Sequence, residues 1–367
     1  MTTQAADPRT LHITGRSDHG GGPEHLYQLV QVIGDAGSTL IACPRKGVYW
    51  SRYAELLGAD HLIHIPHRRF DPATVLRLVR EVRAQKVQVV HSHGMSAGLY
   101  ARLVGLMTGV PVVHTFHGVA VGRGWKQRIH GVVELILSRW TRIGIAVSLG
   151  ERAVIERQYP CHRGRIVVVP NGIALGSGVT PVKESQEVVR VVGFSRNNQQ
   201  KHPELVAGIL ERCTPEICAR MEVHLYGEGL MDSPQLRDAQ ARGLPLHLHP
   251  PTDDPQAELA RAHIYLSTSR WEGLPIALLE AWRAGTCVMA TSVVGNNDVV
   301  QHLRNGLLFP CSDRDLGAQA MTRLVTDQRL RSTLGAQAFN DLHCRFGREL
   351  MGRRMRRIHR WVIAICP

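Results

Sequence analysis

The chain is expected to be an α/β protein with two doubly wound parallel sheets in tandem, and three observations carry that expectation. Its 367 residues exceed what one compact core of usual size holds, so two domains of about 170 residues each are expected. Short β-branched apolar runs alternate with segments of helical periodicity, the signature of βαβ units paired in parallel. The series then stops at a stretch rich in turn formers, Pro170-Asn-Gly-Ile-Ala-Leu-Gly-Ser-Gly-Val-Thr-Pro181, and starts again after residue 187.

In the first half, strands are expected at residues 11–14, 40–43, 87–91, 110–114, 143–147 and 166–169, with helices such as 73–84 and 125–140 between them. In the second half they are expected at 188–192, 221–226, 246–249, 264–267 and 287–291. The turn-rich stretch reads as a linker, which puts the domains at 1–178 and 179–344, followed by a basic tail at 345–367.

Composition narrows the class. Hydrophobic residues at 44% and charged residues at 20% describe an ordinary water-soluble globular protein, and no stretch reaches the ~18 consecutive apolar residues of a membrane span. The eight cysteines show no paired metal spacing, Cys213 and Cys218 being five apart, so reduced thiols of a cytosolic protein are expected. Residues 1–8 have neither a basic start nor an apolar run and read as a short disordered lead. The net charge of +13 is unevenly placed: residues 1–180 hold 21 Lys+Arg against 11 Asp+Glu, residues 181–344 hold 16 against 19, and residues 345–367 hold 7 against 1. Such a basic surface suits nucleic acid or anionic lipid, and composition does not decide between them.

Open parallel sheets bind ligands outside the carboxyl ends of their strands, which directs attention to the residues just beyond each strand. After the first comes a flexible loop, Gly15-Arg-Ser-Asp-His-Gly-Gly21-Gly22-Pro-Glu24, able to bring backbone close to a phosphate or sugar. His91-Ser-His93-Gly94 and His114-Thr-Phe-His117-Gly118 come after the third and fourth. These His-rich ends offer zinc-ligand chemistry, but no Asp, Glu or Cys joins them at ligand spacing, so hydrogen bonding to a substrate is the expectation. His61, His64 and His67 read as surface or packing residues.

In the second half, Arg196 and Lys201 stand five apart in a loop leading into a helix near Pro203, two cations able to neutralise a leaving diphosphate. Gly227-Glu-Gly229 is a second close-approach turn. Most informative is Trp271-Glu272-Gly273-Leu274-Pro275-Ile276-Ala277-Leu-Leu-Glu280-Ala-Trp-Arg-Ala-Gly285. Pro275 suits the first helical position and Gly285 the stop, so the N–H groups of Ile276 and Ala277 would face an anion between two carboxylates. A ligand that is part phosphate and part polyol, such as a nucleotide sugar, fits that pattern. Taken singly, each motif also fits a plain turn or solvated side chains.

Together they resemble the retaining glycosyltransferases of family four. The resemblance spans nearly the whole chain in order: Gly21-Gly22-x-Glu24, His117-Gly118, Val147-Ser148 before a helix, Val169-Pro-Asn-Gly-Ile173, Arg196 with Lys201, Gly227-x-Gly229, Glu272 with Glu280, residues 295–300, and Gly306-Leu-Leu-Phe-Pro310. It implies a GT-B fold, two Rossmann-like domains facing a central cleft, with a C-terminal helix crossing back to the first domain. It implies that the second domain binds a UDP- or GDP-linked sugar and the first a lipid-linked or growing glycan acceptor. Glu272 would contact the transferred sugar, Glu280 the ribose diol, and Gly273, Leu274, Ile276 and Ala277 the diphosphate. Arg196 and Lys201 would offset charge, His117 would reach the donor sugar, the loop at Gly21 and Gly22 would close over phosphate or acceptor, and Gly227 would take part in donor binding.

No cofactor or metal is implied, and Asp313-Arg-Asp315 reads as the acidic start of a helix. With no convincing nucleophile near His117, front-face displacement is expected over a covalent route. Arg68 and Arg69, and the cluster Arg123, Trp125, Lys126 and Arg128, lie on the acceptor side and, with the basic tail, suggest peripheral association with the inner face of a membrane. A nucleotide-sugar epimerase of the same fold is the alternative enzyme, disfavoured by the basic first half. A nucleic-acid binder is disfavoured by an aromatic content of 5% and the lack of a reader motif. The chain departs from the family pattern twice. Gly193 to Lys201 is two residues longer than the common spacing, with Phe194 where an Arg is usual, and Asn296-Asn-Asp298 replaces a Gly-rich run ending in Glu.

Overall fold

The computed structural model describes residues 7–35, 37–67, 69–119, 125–176 and 187–365, the side chains of 126–128 and 130 excepted. The chain divides into two compact units, Met1–Ala174 with Arg348–Pro367, and Leu175–Gly347. The sequence put these boundaries at 178/179 and 344/345. Much of the expected linker is built into the first unit: Asn171 is buried, Ala174 N donates to Gln28 Oε1 and Arg348 N donates to Ile173 O.

The first unit is a parallel sheet of β1 (Thr10–Thr14), β2 (Thr39–Cys43), β3 (Leu62–His64), β4 (Val89–His93), β5 (Val112–Thr115), β6 (Ile143–Ala146) and β7 (Ile166–Val168), in the order β3-β2-β1-β4-β5-β6-β7. Its helices are α1 (Gly21–Ile33), α2 (Val48–Leu57), α3 (Pro72–Ala84), α4 (Met95–Thr108), α5 (Trp125–Leu137) and α6 (Leu149–Gln158). Strand order reverses between β1 and β4, where His12 lies opposite His91 and Thr14 opposite His93.

Two strands of the first unit start two residues later than expected. The third expected strand shifts two residues toward the C-terminus because Val87 N closes the end of α3 on Val82 O, and the strand then runs through His91 and His93. Both histidines are therefore strand residues. The next strand starts after Pro111, which has no N–H to give to the ladder, and includes His114. Strand β3, short and half-buried, carries too weak a pattern to be read from sequence.

The second unit repeats the plan with β8 (Val189–Phe194), β9 (Met221–Tyr226), β10 (Leu246–His249), β11 (Ile264–Ser267), β12 (Cys287–Thr291) and β13 (Leu307–Phe309), in the order β10-β9-β8-β11-β12-β13. Strand β13, only three residues long, was also missed. Helices α7 (Glu204–Leu210), α8 (Pro215–Cys218), α9 (Pro234–Ala241), α10 (Pro255–Arg261), α11 (Ile276–Arg283), α12 (Asn296–Val299), α13 (Arg314–Thr326) and α14 (Gln328–Arg345) complete it. Asp313 caps α13, its carboxylate accepting from Leu316 N at 2.9 Å. Both units are Rossmann-like, and the reversal in the second lies between β8 and β11.

Helix α15 (Arg348–Ala364) belongs to the first unit. Met351, Met355, Ile358 and Val362 pack with Leu29, Ile33, Val89, Val113, Ile143 and Ile145, so this helix covers one face of the first sheet. Its opposite side carries exposed Arg353, Arg354, Arg357 and Arg360, four of the seven basic residues of the tail. Close approach to α1 depends on Gly352, where a Cβ would stand 2.5 Å from Val32 Cγ1. Gly352→Val should therefore destabilise the protein by about 1–3 kcal/mol through overpacking, read as a lower urea midpoint at unchanged slope.

Candidate active site

The helix read from the Glu272–Gly285 stretch exists as α11, but Pro275 is its N-cap and Ile276 its first residue. Pro275 takes extended backbone angles, and its carbonyl receives the first helical bond from Leu279 N. The N–H groups of Ile276 and Ala277 thus lie in the first turn, before any intrahelical acceptor. Gly285 (φ 66) ends the helix in the left-handed region. Buried Leu278, Leu279, Ala281 and Trp282 anchor α11 in the core.

Glu272 sits just before this helix, 8% exposed. Lys201 Nζ donates to its Oε1 at 2.6 Å, and Ser269 Oγ donates to the same oxygen at 2.6 Å. Lys201 lies beyond β8 and Ser269 beyond β11, so the pair spans the point where strand order reverses. The Lys201 loop is tied there by Arg270 N to Gln200 O, Gln200 Nε2 to Trp271 O, and Thr268 Oγ1 to Lys201 O.

A second brace comes from β12. Asn296 Nδ2 donates to Thr291 O at 2.9 Å, Thr291 Oγ1 donates to Ser269 O, and Ser269 holds Glu272. Asn296 is fully buried, so the change from the family's Gly-rich run has a structural use here. The glycine kept beside it, Gly295 (φ 89), has no room for a side chain, since a Cβ would stand 2.6 Å from that of Glu272.

Glu280 is half-buried on α11. Burial raises the Tyr265 phenol well above its usual range, and the charges of Glu272 and Glu280 push it further, which places both carboxylates near one buried ring. Arg196 is half-buried on the loop after β8, and Gly227 closes against that loop. A Cβ on Gly227 would stand 1.5 Å from Ser195 O, so only glycine is accommodated there. Phe194, in the position where the family often has Arg, is the last residue of β8, with its ring 6.1 Å from that of Tyr265.

In the first unit, Gly21 and Gly22 form the start of α1, and a Cβ at either would meet open space. One turn on, His25 Nδ1 lies 2.8 Å from Asn171 Oδ1. His117 (φ 61) and Gly118 (φ 93) are consecutive left-handed residues, a rare backbone for histidine. Glu151, 1% exposed, stabilises this turn by accepting from Gly118 N and from Val147 N at 2.7 Å. Sequence reasoning missed Glu151, though Ser148-x-x-Glu151 is capping-box spacing and Ser148 Oγ accepts from Glu151 N at 3.0 Å. It also missed His25, Ser269 and His359. The partners of the two histidines lie far away along the chain, and Ser269 gives no sign in the sequence of which residue it holds.

Two family models cover most of the chain: Glycosyl transferases group 1 matches residues 188–327, and Glycosyltransferase Family 4 matches residues 19–176. The chain belongs to glycosyltransferase family four. Among its relatives, this glycosyltransferase is 24% identical to the UDP-Gal:alpha-D-GlcNAc-diphosphoundecaprenol alpha-1,3-galactosyltransferase of Escherichia coli, over 74% of this chain and 75% of that protein. It is 27% identical to the phosphatidyl-myo-inositol mannosyltransferase of Mycolicibacterium smegmatis, over 88% of this chain and 86% of that one. Anabaena Alr3699/HepE, solved with UDP and glucose, matches with a TM-score of 0.81 at 16% identity, covering 96% of this chain and 99% of the other. These likenesses agree with two Rossmann-like units of GT-B type.

Of the basic residues expected on the acceptor side, Arg68 and Arg123 lie outside the described residues, as do the side chains of Lys126 and Arg128 on α5. Arg69 is exposed, and its carbonyl accepts from Tyr100 OH at 2.8 Å. Helix α5 turns an apolar face to solvent. Trp125, Ile129, Val132, Val133 and Ile136 are exposed, Trp125 to 68%, and their spacing puts them on one helical face. Among the described residues no helix is long and apolar enough to cross a membrane.

Glu134 anchors α5 from the inside. Its carboxylate pairs with the buried Arg102 guanidinium and accepts from His162 Nε2 at 2.7 Å. Burial alone would raise this carboxyl, but the His162 hydrogen bond and the Arg102 charge outweigh it and hold it at about 2, against an ordinary value of 4.5. A depressed carboxyl stabilises the fold fully above its unfolded value, and that contribution is lost as pH falls from 4.5 toward about 2. Glu134→Gln should lower stability at neutral pH and flatten the acid limb in this window, by on the order of 3 kcal/mol, measured by urea unfolding at a series of pH values.

Proposed function

We propose that this glycosyltransferase moves a hexose or N-acetylhexosamine from a UDP- or GDP-linked donor to a lipid-linked or growing glycan, with retention at the anomeric carbon, in bacterial surface polysaccharide or lipopolysaccharide synthesis. The observation that carries this reading is the Lys201–Glu272 pair at the strand reversal of the second unit, just ahead of the α11 N-terminus. That juxtaposition sets a cation, an anion cradle and a hydroxyl acceptor within one short stretch of structure. A uridine diphosphate donor is favoured by the relatives, since the Anabaena protein was solved with UDP-glucose and the Escherichia coli enzyme is named for UDP-Gal.

In this reading the diphosphate rests on the N–H groups of Ile276 and Ala277, with Gly273 and Leu274 shaping the approach and Gly227 allowing close backbone contact. Glu280 accepts from the ribose diol. Both hydrogen bonds to Glu272 end on Oε1, and Oε2 is the oxygen assigned to a hydroxyl of the transferred sugar. His117 is the first unit's contribution to the donor sugar, with Gly21 and Gly22 closing over phosphate or acceptor.

The acceptor hydroxyl oxygen bonds to the anomeric carbon on the face from which the nucleotide leaves. As the bond from that carbon to the β-phosphate oxygen breaks, its electron pair stays on the phosphate, which takes the acceptor's proton. Charge gathers on the leaving diphosphate, where Arg196 and Lys201 offset it, so the step is assigned no metal ion. Lys201, paired with Glu272 before the donor arrives, is then shared with phosphate.

The acceptor is assigned to the inner face of the cytoplasmic membrane. Helix α5 presents a large exposed apolar face on the unit with the greater positive charge, the pairing that anionic bilayers attract. Nucleic acid, by contrast, would find little aromatic surface among the basic residues.

Incubation with UDP- and GDP-sugars should release nucleoside diphosphate from one donor, slowly and with chelator present. Glu272→Ala and Lys201→Ala should each lower kcat by about 10²-fold or more. Absence of turnover and of binding across the donor panel would overturn the reading. Separately, the protein should co-sediment with anionic vesicles at low salt and do so less when Trp125 and Ile129 are changed to Ser. Failure of the wild type to sediment sinks the membrane assignment and leaves the donor chemistry standing.

A further inference from the structure

The first unit contains a cluster of histidines at its own strand reversal. His12 and His91 lie opposite each other on β1 and β4, His93 ends β4, His25 comes from α1, His117 lies just beyond β5 and His359 comes from α15. We propose that His25, His93 and His117 form a binding site for one transition-metal ion of the zinc class.

The geometry supports three ligands to one ion. Their ring centres are 4.4 Å (His25–His117), 5.5 Å (His25–His93) and 5.7 Å (His93–His117) apart. Three imidazoles around a tetrahedral ion with metal–nitrogen bonds of about 2.0–2.1 Å have ring centres roughly 5 Å apart. One ligand atom from each ring lies within 4.8 Å of the others, so ring rotation would close the set onto an ion. His93 Nδ1 and His117 Nε2 are 3.4 Å apart, long for a hydrogen bond but close to the ~3.3 Å edge of a zinc tetrahedron.

Neighbouring groups orient the donors. Asn171 Oδ1 accepts from His25 Nδ1, which assigns the proton to that nitrogen and leaves the lone pair on Nε2. His25 Nε2 is buried, with no hydrogen-bond partner. His93 Nε2 faces His12 Nδ1 at 3.1 Å, which leaves Nδ1 for the ion, and the Glu151-held turn fixes His117.

The other close triad, His12, His91 and His93, is a weaker candidate. It is wholly buried, and both His91 nitrogens are already engaged, by His359 at 3.0 Å and Thr115 Oγ1 at 2.8 Å. His117 is only half-buried, which gives the proposed site a route for ion exchange and a fourth position for water. An all-imidazole set selects zinc-class ions and discriminates against magnesium and manganese, which favour oxygen. The site is thus distinct from any ion on a diphosphate. If His117 contacts the donor sugar as proposed above, a metal holding its Nε2 inhibits transfer; this consequence alone rests on that reading.

The test is titration of the whole chain, without a histidine tag, with Co2+ alone, read by visible absorption and followed by Zn2+ displacement. One equivalent should raise the strong bands of a four- or five-coordinate ion. Binding should weaken at least tenfold in His25→Gln and in His93→Gln and stay unchanged in His67→Gln, an exposed control. Should either ligand variant fail to fold, zinc-edge X-ray absorption of the wild type decides: three imidazoles at about 2.0–2.1 Å support the site, and a shell of oxygen alone overturns it. Only the weak bands of octahedral Co2+, or equal binding in His25→Gln, also overturns it and leaves a hydrogen-bonded histidine network. This readout does not depend on turnover, so failure of the donor reading leaves the metal result intact and the reverse holds as well.

Discussion

A parallel sheet covered on both faces confines its chemistry to the carboxyl ends of its strands. Within the sheet, backbone groups are used by the ladder and side chains by the core, so polar groups have room chiefly where the strands stop. Both units obey this constraint. In the second, the loops after β8 and β11 separate at the strand reversal, and Lys201 and Glu272 meet there. In the first, the reversal between β1 and β4 lies beside His93, His25 and His117.

Orientation at Glu272 comes from a chain of neutral hydrogen bonds as much as from charge. Asn296, Thr291 and Ser269 link β12 to the carboxylate, and Gly295 lets backbone pass where a Cβ would collide. A carboxylate fixed in this way keeps one oxygen in the protein and presents the other in a set direction, which lowers the ordering cost when a ligand binds. His117 is held by similar means: its left-handed backbone persists because Glu151 accepts from the N–H groups of Gly118 and Val147.

The repeated α/β pattern was legible because fully buried strands such as Ile264–Ser267 and Cys287–Thr291 leave near-continuous apolar runs and partly exposed ones such as Met221–Tyr226 and Leu246–His249 keep apolar residues at alternate positions, and all four were placed to the residue. Strands β3 and β13, three residues each, were not legible, because so short a segment carries almost no period. The shift at β4 has another cause: its start waits for the Val87 N to Val82 O closure of α3, and its end runs past His91 because Ser92 and His93, polar in the sequence, are buried strand residues. In the site, Lys201 and Glu272 were recoverable as strand-end residues, but their direct contact was not, because it joins positions 71 residues apart. Glu151 left a local trace in its capping spacing. His25 left none, since its partner Asn171 is 146 residues away and its ring neighbours belong to other elements.

The return of α15 to the first unit makes the second unit an insertion. Residues Leu175–Gly347 form one continuous segment, whereas the first unit needs α15 from beyond it. Until that helix arrives, the face of the first sheet covered by Met351, Met355, Ile358 and Val362 is bare, each of those side chains being worth about 1.5–3 kcal/mol when buried. The Asp7 contacts with Arg356 and Arg360 wait for it too. During synthesis the order of maturation is therefore reversed: the second unit holds all its own strands and helices before the first can close its core, and the earliest-made sheet spends the longest time unfinished.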